Sequence, residues 1–282
     1  MKIITDIEQM QKYSIDKKRK NKVIGFVPTM GALHDGHFSL VKASLKKCDI
    51  TIVSIYINPA QFGPNEDLAN YPRTLEEDKK ALIKLGVDVL FLPSDEIMYP
   101  SDYKTWVIVE KLTEKLCGKS RPVHFKGVTT VVTKLFNIVQ CDYAFFGQKD
   151  YQQSVVIKQM VKDLNLPVNI IVCPIIREAD GLAMSSRNKY LDNELRKQAL
   201  VLNQALIEAQ KLIKNGEKDS KNLIYAMEKI LKTSKNAKID YIEIIDPVTL
   251  DTLNSINNDC VIALAVYIGN TRLIDNCIIK IN

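Results

Sequence analysis

The apolar positions of this chain change rhythm near residue 180. Before it, short apolar runs alternate with stretches in which apolar residues recur every three or four positions. Residues 23–27 read VIGFV and stop at Pro28, a length that suits a buried strand. Residues 38–47 place Leu40, Val41, Ser44 and Leu45 on one side of a helix. Residues 49–57, DITIVSIYI, are rich in β-branched side chains and form the next strand. Residues 74–85 are predicted helical through Leu75, Leu82 and Leu85, with Gly86 as the stop and 87–92 as a third strand. Val128, Val131, Val132, Leu135, Ile138 and Val139 then mark a helix, 143–146 a strand, 151–164 a helix and 168–173 a strand. This alternation argues for an α/β fold, a parallel sheet with helices on its faces.

After residue 180, Leu195, Ala199, Leu202, Leu206, Ala209 and Ile213 predict one long amphipathic helix, stopped by Asn215-Gly216. A second helix carries Leu223, Met227, Ile230 and Leu231, and strand-like segments follow at 239–245, 260–268 and 273–281. Helices followed by antiparallel-type strands read as a smaller α+β domain, with the boundary near 176–186.

Composition narrows the class. Of 282 residues, 46% are hydrophobic and 26% charged, so a packed core is expected and disorder is not. The net charge of +6 suits an anionic substrate as well as nucleic acid. The lysines are scattered, however, and the one run, Lys17-Lys18-Arg19-Lys20, reads as a solvated helix end or loop, so no nucleic-acid partner is expected. The cysteines, at 48, 117, 141, 173, 260 and 277, form no C-x-x-C pair and read as buried reduced thiols. No apolar run approaches the ~18 residues of a membrane helix, and the N-terminus lacks a signal core. A cytoplasmic enzyme without a membrane partner is the expectation.

The candidate chemistry sits where strands meet helices. VPTMGALHDGH, residues 27–37, joins a predicted strand to a predicted helix, the place where open parallel sheets hold ligands. Gly31 and Gly36 let backbone approach a bulky anion, and the helix N-terminus supplies free N–H groups. His34 and His37, three apart, can face one pocket and donate to phosphate oxygens. Two histidines at this spacing could also bind metal or be incidental, although only His124 remains as a third. The pattern is neither G-x-G-x-x-G nor a Walker loop. Met184-Ser185-Ser186-Arg187-Asn188 offers hydroxyls and a guanidinium, or an ordinary helix cap. In Phe146-Gly147-Gln148-Lys149-Asp150, Lys149 could reach phosphates, while Asp150 suits a helix N-cap equally well. Asn58-Pro59-Ala60-Gln61 opens a long connection to Pro72, of the kind that covers active sites, and Gln61 could orient a small polar substrate.

Together, His34-Asp35-Gly36-His37 and Met184-Ser185-Ser186-Arg187 resemble the HIGH and KMSKS pair of the nucleotidyltransferase superfamily. With NPAQFGPNEDL, YPRTLEED, HFKGVTTVVTKLFNIV, FGQKD, DGLAMSSRN and TRLIDN, essentially the whole chain resembles the pantoate–β-alanine ligase (pantothenate synthetase) family. The resemblance implies a Rossmann-like nucleotidyltransferase domain, 1–176, and a C-terminal α+β domain, 177–282, covering the site. It implies that pantoate attacks the α-phosphorus of ATP, and that β-alanine then attacks the acyl adenylate. ATP would lie along Met30, Gly31, Ala32, Leu33, His34, Asp35, Gly36 and His37, with Gly147, Gln148, Lys149, Asp150, Ile176, Met184, Ser185, Ser186 and Arg187 completing its site. His37 would be the general acid, although donation without net proton transfer would serve; His34 and Lys149 would assist. Gln61 and Gln153 would hold pantoate, with Gln61 also near β-alanine. A phosphorylated acceptor would instead favour Arg or Lys there. Magnesium would accompany ATP, with Asp150 a candidate ligand, and the enzyme would be a homodimer. Val123 stands where the family commonly has glycine; an ordinary backbone is expected there, since a positive φ would strain valine.

Overall fold

The computed structural model describes residues 1–64 and 66–281. Its first half is a parallel sheet in the order β1-β4-β3-β2-β5-β6. The elements run β1 (Lys2–Ile4), α1 (Ile7–Arg19), β2 (Ile24–Thr29), α2 (Asp35–Lys47), β3 (Ile50–Ile55), α3 (Leu75–Leu85), β4 (Val89–Phe91), α4 (Asp95–Met98), α5 (Cys117–Ser120), α6 (His124–Val139), β5 (Tyr143–Gly147), α7 (Tyr151–Asp163) and β6 (Asn169–Cys173). The chain leaves β2 toward β3 on one side and returns to β5 on the other. That reversal opens a crevice at the carboxyl ends of β2 and β5, where doubly wound sheets bind ligands.

The sheet is apolar on both faces. Val27, Val53, Leu90 and Phe145 pack with Leu40, Val41 and Leu82, from α2 and α3. Phe26, Ile52 and Phe146 pack against Met10, Val128, Val131, Val132, Leu135, Phe136, Ile157 and Met160, from α1, α6 and α7. The alternation of side chains along β2 therefore sends Phe26 and Val27 to opposite layers. The sequence pattern did not disclose β1 and α1. β1 is three residues long, and only Met10 and Ser14 of α1 are buried, so neither leaves a clear period. Asp6 caps α1 by accepting from Gln9 N at 2.8 Å. Lys17, Lys18 and Arg19 occupy its last turn, where the helix dipole favours cations.

The second half carries α8 (Asn193–Gln198), α9 (Val201–Lys214) and α10 (Ser220–Leu231), then β7 (Ala237–Ile245), β8 (Cys260–Ile268) and β9 (Thr271–Ile279) in an antiparallel sheet. Leu202, Leu206, Leu223, Met227, Leu264 and Val266 share its core. The long helix expected across 195–213 is broken between α8 and α9. Leu200 N and Leu202 N bond three residues back, to Lys197 O and Ala199 O, which tightens the turn. The Gln198 side chain anchors the break, accepting from Ser234 Oγ at 2.8 Å and from Asn236 N at 3.2 Å. Val123 precedes α6 with φ −89° and ψ −15°, an ordinary helical backbone.

Candidate active site

The turn from β2 to α2 is shaped by a buried carboxylate. Gly31 has φ 81° and Ala32 φ 50°, which turns the backbone N–H groups of Ala32 and Leu33 inward. Both donate to Asp78 of α3, at 2.9 Å each, and Thr74 Oγ1 adds a third bond at 3.2 Å. The φ of Gly31 would strain any side chain, and a Cβ there would also crowd Ile55 at 3.1 Å and Asp78 at 3.2 Å.

This turn delivers the histidines. His34 is the N-cap of α2, its Nδ1 accepting from Gly36 N at 3.2 Å, while His37 Nδ1 accepts from His34 N at 3.4 Å. With both Nδ1 atoms acting as acceptors, the proton of each neutral ring is assigned to Nε2. The rings lie 4.2 Å apart and tilted by 49°. Burial, reinforced by the Lys149 charge, depresses the His34 pKa to about 4. Burial, then His34 and Lys149, depresses that of His37 to about 3. Both rings are therefore neutral donors near pH 7.

The opposite wall is braced from β9. Asn276, 3% exposed, donates through Nδ2 to the carbonyls of Gln148 (3.0 Å) and Lys149 (2.9 Å) and accepts from Gln148 Nε2 (3.2 Å). Its neighbour Asp275 takes a two-pronged grip from Arg177, at 2.7 and 3.0 Å, and Arg177 also donates to Gly181 O at 3.0 Å. Ser186 Oγ donates to Ala32 O at 3.1 Å, which ties the Ser-Ser-Arg segment to the first turn. Arg187 is engaged with Asp67, at 2.9 and 2.8 Å. Asp150 stands at the N-cap of α7, but its side chain makes no capping bond.

Farther in, Asn58 Nδ2 donates to Gln61 Oε1 and to Gly127 O, both at 3.1 Å. His124 Nδ1 lies 3.0 Å from Gln61 O. Gly127 of α6 packs so tightly that a Cβ would fall 2.3 Å from Ala60 O. Adjacent glutamines in α7 divide their work: buried Gln152 accepts from Cys117 N and donates to the carbonyls of Leu112 and Lys115, whereas Gln153 faces the cavity.

A single cavity of about 240 Å³ is lined by Met30, His34, Gly36, His37, Gln61, Gly147, Lys149, Asp150, Gln153, Ile176, Met184, Ser185, Ser186 and Arg187. Gly31 and Ala32 lie buried behind this surface and Leu33 packs into the sheet's second layer. Asp35 is exposed, and Gln148 turns to Asn276. Asp78, Arg177, Asp275 and Asn276 escaped sequence reasoning as site residues, because each acts through a partner distant in the chain. The TRLIDN motif contained the Asp275-Asn276 pair but not its contacts. Among the described residues, no three His, Cys, Asp or Glu side chains gather as metal ligands. A magnesium ion bound with a triphosphate needs only one or two carboxylates. Asp150, on the cavity wall, fits that requirement.

A family model for pantoate–β-alanine ligases matches residues 2–278. The chain is 54% identical over 281 residues to a pantothenate synthetase of Acetivibrio thermocellus, covering 100% of both. It is 55% identical over 280 residues to one of Caldicellulosiruptor bescii, covering 99% of both. The crystal structure of pantothenate synthetase from Thermus thermophilus superposes with a TM-score of 0.93 at 40% identity, covering 98% of this chain and 99% of that one. A pantoate–β-alanine ligase from Francisella tularensis, complexed with β-γ ATP and β-alanine, gives 0.80 at 40% identity, with 98% and 97% covered.

Proposed function

The chain belongs to the pantoate–β-alanine ligase family, and from that premise we propose how its own residues carry the reaction. The enzyme joins pantoate to β-alanine at the expense of ATP, forming pantothenate. A pantoate carboxylate oxygen attacks the α-phosphorus of ATP, the bond to the bridging oxygen breaks, and pyrophosphate leaves. The β-alanine amine then attacks the acyl carbon of pantoyl adenylate, AMP leaves, and the amine gives up a proton.

The first step needs no protein nucleophile. It needs alignment of carboxylate and phosphorus, and donors where phosphate charge develops. Gln61 and Gln153 orient pantoate. Nε2–H of His34 and of His37, Lys149, the hydroxyls of Ser185 and Ser186, and Arg187 surround the triphosphate. His37 acts as a hydrogen-bond donor in its neutral form. Asp150 would help to hold a magnesium ion bound with the nucleotide, which would supply charge compensation for the leaving pyrophosphate. The supporting observation is that neutral-amide and phosphate-type groups line one cavity. The adenylate is prone to hydrolysis, so the connection carrying Gln61, Asp67 and Tyr71 serves as its cover. The cysteines are free, and all but Cys48 are buried, which suits a reducing cytoplasm. The enzyme works as a homodimer.

The test is ATP–pyrophosphate exchange with purified protein. Exchange that requires pantoate and proceeds without β-alanine is expected; its absence would overturn the two-step reading.

A further inference from the structure

A second cavity, of about 70 Å³, adjoins the one that gathers the nucleotide motifs. Gln153, Lys149, Ser185 and Arg187 line both. In the reaction proposed above, Gln153 orients pantoate while Lys149, Ser185 and Arg187 surround the phosphates. The acyl–phosphate bond of the adenylate lies between those two sets of groups, so on that reading the second cavity abuts the acyl carbon. The pantoyl and adenylyl halves fill the first cavity by then, and the amine has to arrive from another side.

The far end of the second cavity is built by the C-terminal sheet. A bulge in β7 leaves Asp240 between the pairs Ile239–Val266 and Tyr241–Ala265. Asp240 accepts from Arg272 of β9, from Nε at 3.0 Å and Nη2 at 2.7 Å, and from Ser120 Oγ at 2.8 Å. That grip fixes the guanidinium. Its Nη1 has only a thiol, Cys117 Sγ at 3.7 Å, as acceptor among the described residues. The Tyr241 hydroxyl likewise meets only Cys117 Sγ, at 3.3 Å. Burial pushes the Tyr241 phenol well above its ordinary range, so it keeps its proton. Sulfur is a weak acceptor, so both groups retain donor capacity for an oxygen anion. Leu116, Phe125, Ala263 and Ile274 add apolar lining. Leu116 is buried with φ 45° and ψ −120°, a strained backbone of the kind that collects at ligand clamps.

We infer that this second cavity holds β-alanine, with its carboxylate on Arg272 Nη1 and the Tyr241 hydroxyl and its amine toward the acyl carbon beside Gln153. The size agrees: at ~10–15 Å³ for each water-sized position, 70 Å³ offers roughly five to seven positions for the six non-hydrogen atoms of β-alanine. The apolar lining suits its two methylenes. Pyrophosphate, the competing anion, fits poorly, because Asp240 already balances the charge of Arg272 and the remaining donors suit one carboxylate.

The inference rests on the two-step reading above, and its test separates the two. Arg272→Gln should raise KM for β-alanine in pantothenate formation by ~10–100-fold, the loss of a charge-assisted hydrogen bond. Pantoate-dependent pyrophosphate exchange, which needs no β-alanine, should stay within about twofold of the parent. The parent chain supplies a second measurement that no folding defect can blur. With pantoate and α,β-methylene ATP bound, β-alanine should slow the labelling of Cys117 by methyl methanethiosulfonate, read by mass on its peptide. An unchanged KM for β-alanine, a variant that loses exchange together with ligation, labelling that β-alanine does not slow, or a Cys117 that never labels would each overturn the assignment. A parent chain without pantoate-dependent exchange would instead overturn the two-step reading itself.

Discussion

Arg187 binds Asp67 through both carboxylate oxygens, Nε to Oδ2 at 2.9 Å and Nη2 to Oδ1 at 2.8 Å. Burial pushes the Asp67 carboxyl up, but the hydrogen bond and charge of Arg187 outweigh it and hold the pKa below the usual carboxylate range. The same guanidinium is the one proposed for phosphate. On that proposal, nucleotide phosphates and Asp67 compete for it. Asp67→Asn should lower KM for ATP by about 2–10-fold, the equivalent of a modest ion pair of ~0.5–1.4 kcal/mol. An unchanged or raised KM in exchange kinetics would mean that Arg187 never leaves Asp67.

Three buried histidines contribute to the acid behaviour. Their native pKa values, about 4 for His34, about 3 for His37 and about 4 for His124, all lie below 6.5. Between these limits the unfolded chain binds more protons than the native one. Their stability contribution is full above pH 6.5 and is lost as pH falls through about 4 for His34 and His124 and about 3 for His37. Urea midpoints should drop across that window. Pyrophosphate exchange, measured as kcat/KM for ATP, should show no imidazole limb near pH 6.5; such a limb would mean that a charged histidine acts in catalysis. His37→Ala should cost at least ~10²-fold in adenylation rate, the scale of losing one transition-state donor, and a near-normal rate would remove His37 from the chemistry.

Neighbouring glutamines should behave oppositely. Gln153→Ala should raise KM for pantoate by ~10-fold or more with little change in melting temperature, from the loss of an oriented amide. Gln152→Ala leaves Cys117 N and the carbonyls of Leu112 and Lys115 without their partner, and should destabilise by about 1–3 kcal/mol in denaturant titrations. Equal effects in both assays would contradict this division.

The apolar rhythm made most strands of the parallel sheet legible, because each fills a layer of core and carries its own period. The His34 and His37 site was legible because its residues are local to one strand–helix junction. Asp78 was not: it lies four residues after Thr74 in the first turn of α3, where an acidic residue looks like ordinary dipole compensation. Its function exists only through Ala32 and Leu33, 46 and 45 positions away. The break at Ala199 was hidden for the same reason, since Gln198 is held by residues near 234–236. Neither residue departs from what helix periodicity allows.

Gly127 offers a steric test of the acceptor end. A methyl there would lie 2.3 Å from Ala60 O and 2.5 Å from Gln61 N, so the turn must retreat. Gly127→Ala should raise KM for pantoate more than KM for ATP and destabilise by about 1–3 kcal/mol, the usual range for overpacking. Equal changes in both Michaelis constants would place the disturbance elsewhere.

Asn276 reaches across 128 positions to Gln148 and 127 to Lys149. The brace on the carbonyls of Gln148 and Lys149 therefore comes from the last strand of the chain. That wall of the cavity is complete only when β9 lies against it, so the two halves of the chain close one site between them.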